Sequence, residues 1–361
     1  SWFEEAHRAS EDSLDKLLPT IIRTPGAQCW FSANPQSSAD PFSKRFLLPY
    51  LKELRTTGVY EDDLHYITLV NWRDNPWWNQ EQERLRAWDY QNLTRSKYDW
   101  IWEGSFNDTV DNAIIPVEWF DAAIDAHEKL GFEPKGAIIV SHDPSDEGPD
   151  DKGLCLRHGS VVLDVQAKDD GDANEGCDWA TSYAIRHNAD CFIWDCDGLG
   201  VSLRKQVLEN IAGKRMDHQM FKGSEGVDDP GAVYQDTGNQ RAQAKTNKQI
   251  FKNKRAQYYW ALRDRFYATY RAVEKGEYID PDEMISLSSS IPDMQQLRAE
   301  ICRIPQKKLG NGIIQIMSKE DMARMKPPLD SPNMADSLMM SMAYQDKHAQ
   351  VLTMNFESVY G

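Results

Sequence analysis

Three aspartates have surroundings that suit the hydrolysis of a phosphodiester. Asp143 follows the apolar run Gly136–Ser141 and precedes Pro144. Asp195 closes the run Asp190–Asp195 just before the turn residues Gly198 and Gly200. Asp336 falls in the second turn of a helix that reads from Ser331-Pro332 to about Tyr344. Two divalent cations roughly 4 Å apart can activate a water and steady the leaving oxygen of such a bond. Magnesium and manganese prefer oxygen ligands, so the site needs several carboxylates and neither Cys nor His. Taken singly, each residue has an ordinary reading, because Asp after a strand is a common turn former and Asp336 could be a solvated helix residue. Asp146, Asp197 and Asp330 are rivals. Asp197 is the strongest, since strand alternation puts it on the same face as Asp195.

Ligands of this kind must stand on rigid elements at one rim of a sheet. Alternation places Asp143 with Ala137, Ile139 and Ser141, and Asp195 with Cys191 and Ile193. If the two strands are neighbours, both carboxylates project together. Leu154–His158 and Val161–Gln166 read as a hairpin around Gly159. An acidic loop, 168–176, leads to a helix over Cys177–His187, and Leu203–Ile211 is a further helix. Three strands as a meander, a helix and another strand is the order of a ribonuclease H-like fold. On the last helix Asp336 borders the apolar face Ala335, Leu338, Met339 and Met342, with Ser331 as cap and Pro332 at the first helical position.

Upstream, the pattern is again α/β. It predicts a helix near Ser10–Leu18, a buried strand over Ala27–Phe31, a strand over His65–Val70 and a helix over Glu81–Tyr90. Residues 101–118 read as irregular connection, Trp119–Leu130 as one helix and 217–250 as loop. A long helix is expected over Asn253–Val273, a short helix after Pro292 and a strand over Gly312–Met317. The domains are set at 1–115 and 116–361.

The 361 residues carry a formal net charge of −16, which argues against a protein that simply coats nucleic acid but not against a local basic groove. No run approaches the roughly 18 apolar residues of a membrane span. The six Cys form no CxxC pair, so neither a zinc site nor a disulfide framework is supported. Cys155, Cys177, Cys191 and Cys196 read as buried thiols of an intracellular protein. Within this acidic chain, Arg241, Lys245, Lys248, Lys252, Lys254 and Arg255 form an acid-free basic stretch. Arg263, Arg265 and Arg271 continue it among aromatic residues. Such cations suit phosphate contacts that carry no sequence information, although a solvated helix face would look the same. Lys307 and Lys308 are a second patch.

The segments VSHDPSDEG (140–148), IWDCDGLG (193–200) and SPNMADSLMMSMA (331–343) resemble, in order, the three acidic motifs of large terminase subunits of tailed phages. The resemblance implies Asp143, Asp195 and Asp336 as ligands of two Mg2+ or Mn2+ ions. It extends upstream. Trp2-Phe3-Glu4-Glu5-Ala6 is similar to the end of a Walker B strand, where Glu4 would help hold magnesium and Glu5 would polarise the water attacking ATP. Acidic residues in a helix first turn are the plain alternative. Cys29–Pro35 resembles the coupling motif that follows. What the resemblance implies is a partial P-loop-type ATPase domain followed by a ribonuclease H-like mixed-sheet nuclease domain. The implied activity is cleavage of concatemeric double-stranded DNA, coupled in the intact protein to ATP-driven packaging. The implied partners are DNA, a small terminase subunit and the portal protein, with a homo-oligomer during packaging, in the cytoplasm of the infected host and not in the mature virion. No GxxxxGK[ST] phosphate loop occurs in the sequence, and the opening on a strand end reads as an N-terminal truncation. A junction resolvase or transposase is the enzymatic rival, separable by preference for branched DNA. A packaging adaptor that only binds would show no cleavage.

Overall fold

The computed structural model describes residues 1–35, 37–38, 40–93, 95–106, 113–148, 150–234, 245–307, 312–325 and 329–344. The chain divides into two compact units, Ser1–Val110 and Asp111–Gly361.

The first unit opens with β1 (Trp2–Glu4) and α1 (Glu11–Ile21), which Ser10 caps by accepting from the Ser13 amide at 3.2 Å. β2 (Trp30–Ser32) pairs parallel with β1. It is not the buried strand the sequence suggested: Phe31 turns into the core, while Trp30 stacks on Trp2 in the open. Then come α2 (Pro41–Phe46), α3 (Leu51–Thr57), the antiparallel pair β3 (Val59–Glu61) and β4 (Tyr66–Thr68), and α4 (Gln80–Asn92), which has an Asn79/Gln82 capping box. α5 (Arg95–Glu103) occupies part of the stretch read as irregular. A small core of Ala6, Leu14, Phe42, Leu47, Leu54 and Phe106 holds the unit together.

The second unit begins with two short helices, α6 (Val117–Ala123) and α7 (Ala126–Leu130). The single helix expected there is broken at Asp125, whose φ of 51° is left-handed. β5 (Ile138–Asp143), β6 (Lys152–His158) and β7 (Val161–Lys168) form the meander. α8 (Ala173–Arg186) starts four residues earlier than expected, because Asp172 and Glu175 make a capping box. β8 (Cys191–Asp195), α9 (Arg204–Asn210) and β9 (Asp217–Phe221) follow. After α10 (Asn247–Ile250) and the long α11 (Lys254–Lys275) come β10 (Ser286–Leu287), α12 (Met294–Ile301), the β11 (Gln306–Lys307) and β12 (Gln315–Ile316) pair, α13 (Lys319–Ala323) and α14 (Asn333–Ser341). Hence residues 217–250 are not all loop, and Pro332 is the cap position, one residue before the helix, with no side-chain cap bond.

Among the described residues, the central sheet runs β10-β7-β6-β5-β8-β9. The meander is antiparallel, whereas β8 joins β5 and β9 joins β8 in parallel, giving a mixed sheet with a ribonuclease H-like core order. Strand alternation divides its side chains between two cores. Ile139, Cys155, Val165 and Ile193 face Phe120, Phe266, Leu297 and Leu338 of α6, α11, α12 and α14. Val140, Leu154, Phe192 and Trp194 face Cys177, Ala180 and Ala184 of α8 and Val207 of α9.

Every residue of α14 is buried, so the helix has no solvated face, and Asp336 lies in its first turn rather than on an apolar border. Gly153 on β6 permits this close seating. A Cβ there would stand 2.2 Å from the Asn333 carbonyl oxygen and 2.4 Å from Ser337 Oγ. Polar bonds fix the seat: Ser141 Oγ donates to the Ser337 carbonyl at 2.6 Å, and Arg157 donates to Ser341 Oγ at 3.0 Å and to its carbonyl at 2.6 Å. Burial lowers the Arg157 pKa to about 10, so these bonds also compensate a costly buried cation.

Candidate metal centre

The parallel register of β5 and β8 pairs Ser141 with Ile193 and His142 with Trp194. The next residue on each strand is a carboxylate, Asp143 and Asp195, on the face that α14 covers. Asp143 and Asp336 are each only 5% exposed. His142 lies on the opposite face against the edge of Trp179, 6.1 Å between ring centroids, and burial brings its pKa down to about 4. The rim is therefore an oxygen-only donor set, the chemistry hard divalent cations take.

Cationic and hydroxyl groups surround it. Lys319 Nζ lies 3.1 Å from Asp143 Oδ2, 3.3 Å from Asp336 Oδ2 and 3.1 Å from Asn333 Oδ1. Arg255 donates to Asp336 Oδ1 at 3.1 and 3.3 Å and to the Met317 carbonyl at 3.0 Å. The Tyr259 hydroxyl donates to the same Oδ1 at 2.6 Å. Burial opposes a charge on Asp336, but Arg255, Lys319 and Tyr259 outweigh it and hold the carboxyl below its usual range. For Asp143 burial wins, with Asp336 adding repulsion against Lys319, and the pKa rises to about 6. Burial and then the charge of Asp143 push Asp195 up to about 7. At Asp143 burial thus outweighs the nearby cations, and the Lys319 ammonium bridges Asp143 and Asp336. Among the described residues, no three Asp, Glu, His or Cys already surround one point as a metal shell would. The donor set fits a hard cation in type, and the Lys319 ammonium marks where positive charge is favoured.

Asp197 is exposed and turns elsewhere. Its carboxylate accepts from the Ser224 amide at 2.8 Å and the Ser224 hydroxyl at 2.7 Å, while its own amide donates to Asp195 Oδ1 at 2.9 Å. Asp146 accepts weakly from the Ala173 amide at 3.3 Å. Together with Lys319, Ser145, Glu147 and Asn333, it lines a cleft of about 260 Å³ beside the rim.

The basic stretch is split. Lys245, Lys248 and Lys252 are exposed. Lys254 is bound to Asp228 at 2.9 Å, and Arg255 is committed to Asp336, so these two do not present free cations outward as the sequence suggested. Arg241 and Lys308 lie outside the described residues, and Lys307 is paired with Asp321 at 2.7 Å. Sequence reasoning missed Lys319, Tyr259 and Asn333 as members of the centre. Asn333, inside the third motif and three residues before Asp336, was the findable one.

In the first unit, Glu4 ends β1 beside Ser32, and Glu5 follows with a left-handed φ of 52° and an ion pair to Arg8 at 2.9 Å. Both side chains are exposed. Asn34 donates to the Trp100 carbonyl at 3.1 Å, and the Trp100 indole donates to the Pro35 carbonyl at 2.8 Å, tying that segment to α5.

A mixed sheet of this order, with carboxylates at the ends of neighbouring parallel strands and a third on a docked helix, defines a ribonuclease H-like nuclease domain. Comparison with known proteins agrees. The phage terminase large subunit family matches residues 1–105. The nuclease domain of the large terminase subunit gp2 of bacterial virus Sf6 is 47% identical, covering 65% of this chain and 100% of that one, with a TM-score of 0.61. A lysine-to-alanine mutant of that domain, with manganese and β-thujaplicinol, gives 47% identity over 65% and 100% with a TM-score of 0.60. A mutant gp2c with calcium gives 47% over 64% and 100% with a TM-score of 0.59. No curated protein matches the chain. The chain belongs to the family of phage terminase large subunits.

Proposed function

We propose that the second unit is a metal-dependent endonuclease that cuts concatemeric viral double-stranded DNA, with Asp143, Asp195 and Asp336 holding two Mg2+ or Mn2+ ions. The observation that carries this reading is that Asp143 and Asp336 are buried on either side of Lys319 while the strand register puts Asp195 next to Asp143, with the pKa values of Asp143 and Asp195 both raised. The related nuclease domain crystallised with manganese supports the choice of metal.

Bound there, the ion pair would supply an activated water and neutralise the leaving oxygen. The protein's part is to hold the ligands and to manage charge. Register fixes Asp143 beside Asp195. Tyr259 and Arg255 both grip Oδ1 of Asp336, which leaves Oδ2 turned toward Lys319 and Asp143. The Lys319 ammonium balances the carboxylates and is half-exposed, so it has solvent to turn into when a cation takes its place. In the intact packaging machine the first unit would belong to an ATPase, Glu4 and Glu5 serving magnesium and the attacking water. The partners would be the small terminase subunit, the portal protein and further copies of the chain. The setting would be the cytoplasm of the infected bacterium, not the mature virion.

The test is nicking of supercoiled plasmid in Mn2+. Asp143→Ala, Asp195→Ala and Asp336→Asn should each abolish it while thermal unfolding stays cooperative, and EDTA should abolish it in the unaltered chain. Asn at 336 removes the charge but keeps an oxygen that can accept from Arg255 and Tyr259, so it is gentler than Ala, which would leave the buried Arg255 with no partner there at a cost of about 3–5 kcal/mol. Nicking by all three variants at the parent rate would refute the assignment.

A further inference from the structure

Helix α14 carries Asp336 in its first turn, yet Pro332 offers no side chain to cap it. The free amides at that end are met from another helix. Glu300, near the end of α12, accepts from the Ala335 amide at 3.0 Å, with the Met334 amide adding to the same interaction. Gln296, one turn earlier on α12, donates to the other oxygen at 3.1 Å and so fixes the carboxyl plane. The acceptor thus reaches the residue directly before the proposed ligand. An uncapped first turn frays, and buried amides left without a partner are costly.

We infer that Glu300 is a positioning residue for the nuclease centre: it caps α14 from α12 and thereby sets where Asp336 stands. This rests on the proposed role of Asp336 as a ligand. The helix backbone carries the effect, because a turn that unwinds at Ala335 moves the next Cα and releases the carboxylate from Tyr259 and Arg255. A Gln at 300 keeps one oxygen for the Ala335 amide, and Gln296 can turn its own amide to accept from the new NH2.

The test uses the full chain, with Mn2+ binding followed by electron paramagnetic resonance, plasmid nicking and thermal unfolding as readouts. Glu300→Ala should weaken Mn2+ binding and slow nicking on the order of 10- to 100-fold, the usual cost of losing a residue that orients a ligand. Glu300→Gln keeps the acceptor and should restore both to within about threefold of the parent. Glu300→Ala binding Mn2+ and nicking like the parent would overturn the inference, and so would Glu300→Gln as impaired as the Ala variant. Should Glu300→Ala fail to fold, Gln296→Leu, which frees the carboxyl to rotate, should weaken Mn2+ binding several-fold. Parent-level binding by Gln296→Leu would then count against the cap. A parent chain that binds Mn2+ but never nicks would instead sink the nuclease reading.

Discussion

Asp195 and Asp197 are two residues apart and would share a strand face if the strand continued. It ends at Asp195, whose side chain accepts the Asp197 amide, and the chain turns so that Asp197 serves the Ser224 loop. Asp197→Ala should therefore keep plasmid nicking within about threefold of the parent, the loss being an exposed hydrogen-bonded turn. Nicking abolished by Asp197→Ala and kept by Asp195→Ala would move the ligand role to Asp197. Residues in the centre differed in how far the sequence disclosed them. Asp143 was legible because an apolar strand and a following Pro bracket it. Arg255 was visible only as one cation among several, since its partner lies 81 residues away. Lys319 was invisible for the same reason: nothing local to it says that Asp143 and Asp336 converge there.

At the scale of elements, β5 and β8 could be read directly because both of their faces are buried and their sequences run apolar, and β6 and β7 because their apolar residues flank the turn at Gly159. β9 could not: it is an edge strand, and Asp217-His218-Gln219 is polar and largely exposed. α5 escaped because Arg, Lys and Asp interrupt its apolar pattern, and the true start of α8 because its capping box lies in an acidic loop. The seat of α14 makes the sharpest prediction here. Gly153→Ala would drive a methyl into the backbone oxygen of Asn333, which no rotamer change can relieve. Overpacking of this kind costs about 1–3 kcal/mol. Urea unfolding should show that loss, and nicking should fall with it as Asp336 is lifted from the rim. An unchanged urea midpoint would show that α14 can move away freely.

For the whole molecule, the net charge of −16 sets a repulsive background against DNA, so any binding must come from local cations. Lys248 and Lys252 are exposed and lie outside the ion pairs that occupy Lys254 and Arg255. Reversing both to Glu should weaken cleavage, most at low salt, and leave the unfolding temperature unchanged. Equal cleavage across a salt titration would remove this face from the DNA path. The proposed ATPase role of Glu4 and Glu5 needs a Lys and a backbone cradle for the phosphates, and no GxxxxGK[ST] pattern occurs among these 361 residues. A phosphate-release assay on this chain should stay at background, and turnover of roughly 1 s⁻¹ or more would contradict that.

The late position of α14 has a consequence in time. Asp336 comes 193 residues after Asp143, on the last described helix, which packs against strands laid down much earlier. Such a distant pairing is slow to form. A ribosome-bound chain that has not yet emitted Asn333–Ser341 has only two of the three proposed ligands. The proposed centre can therefore assemble only after Asn333–Ser341 have left the ribosome.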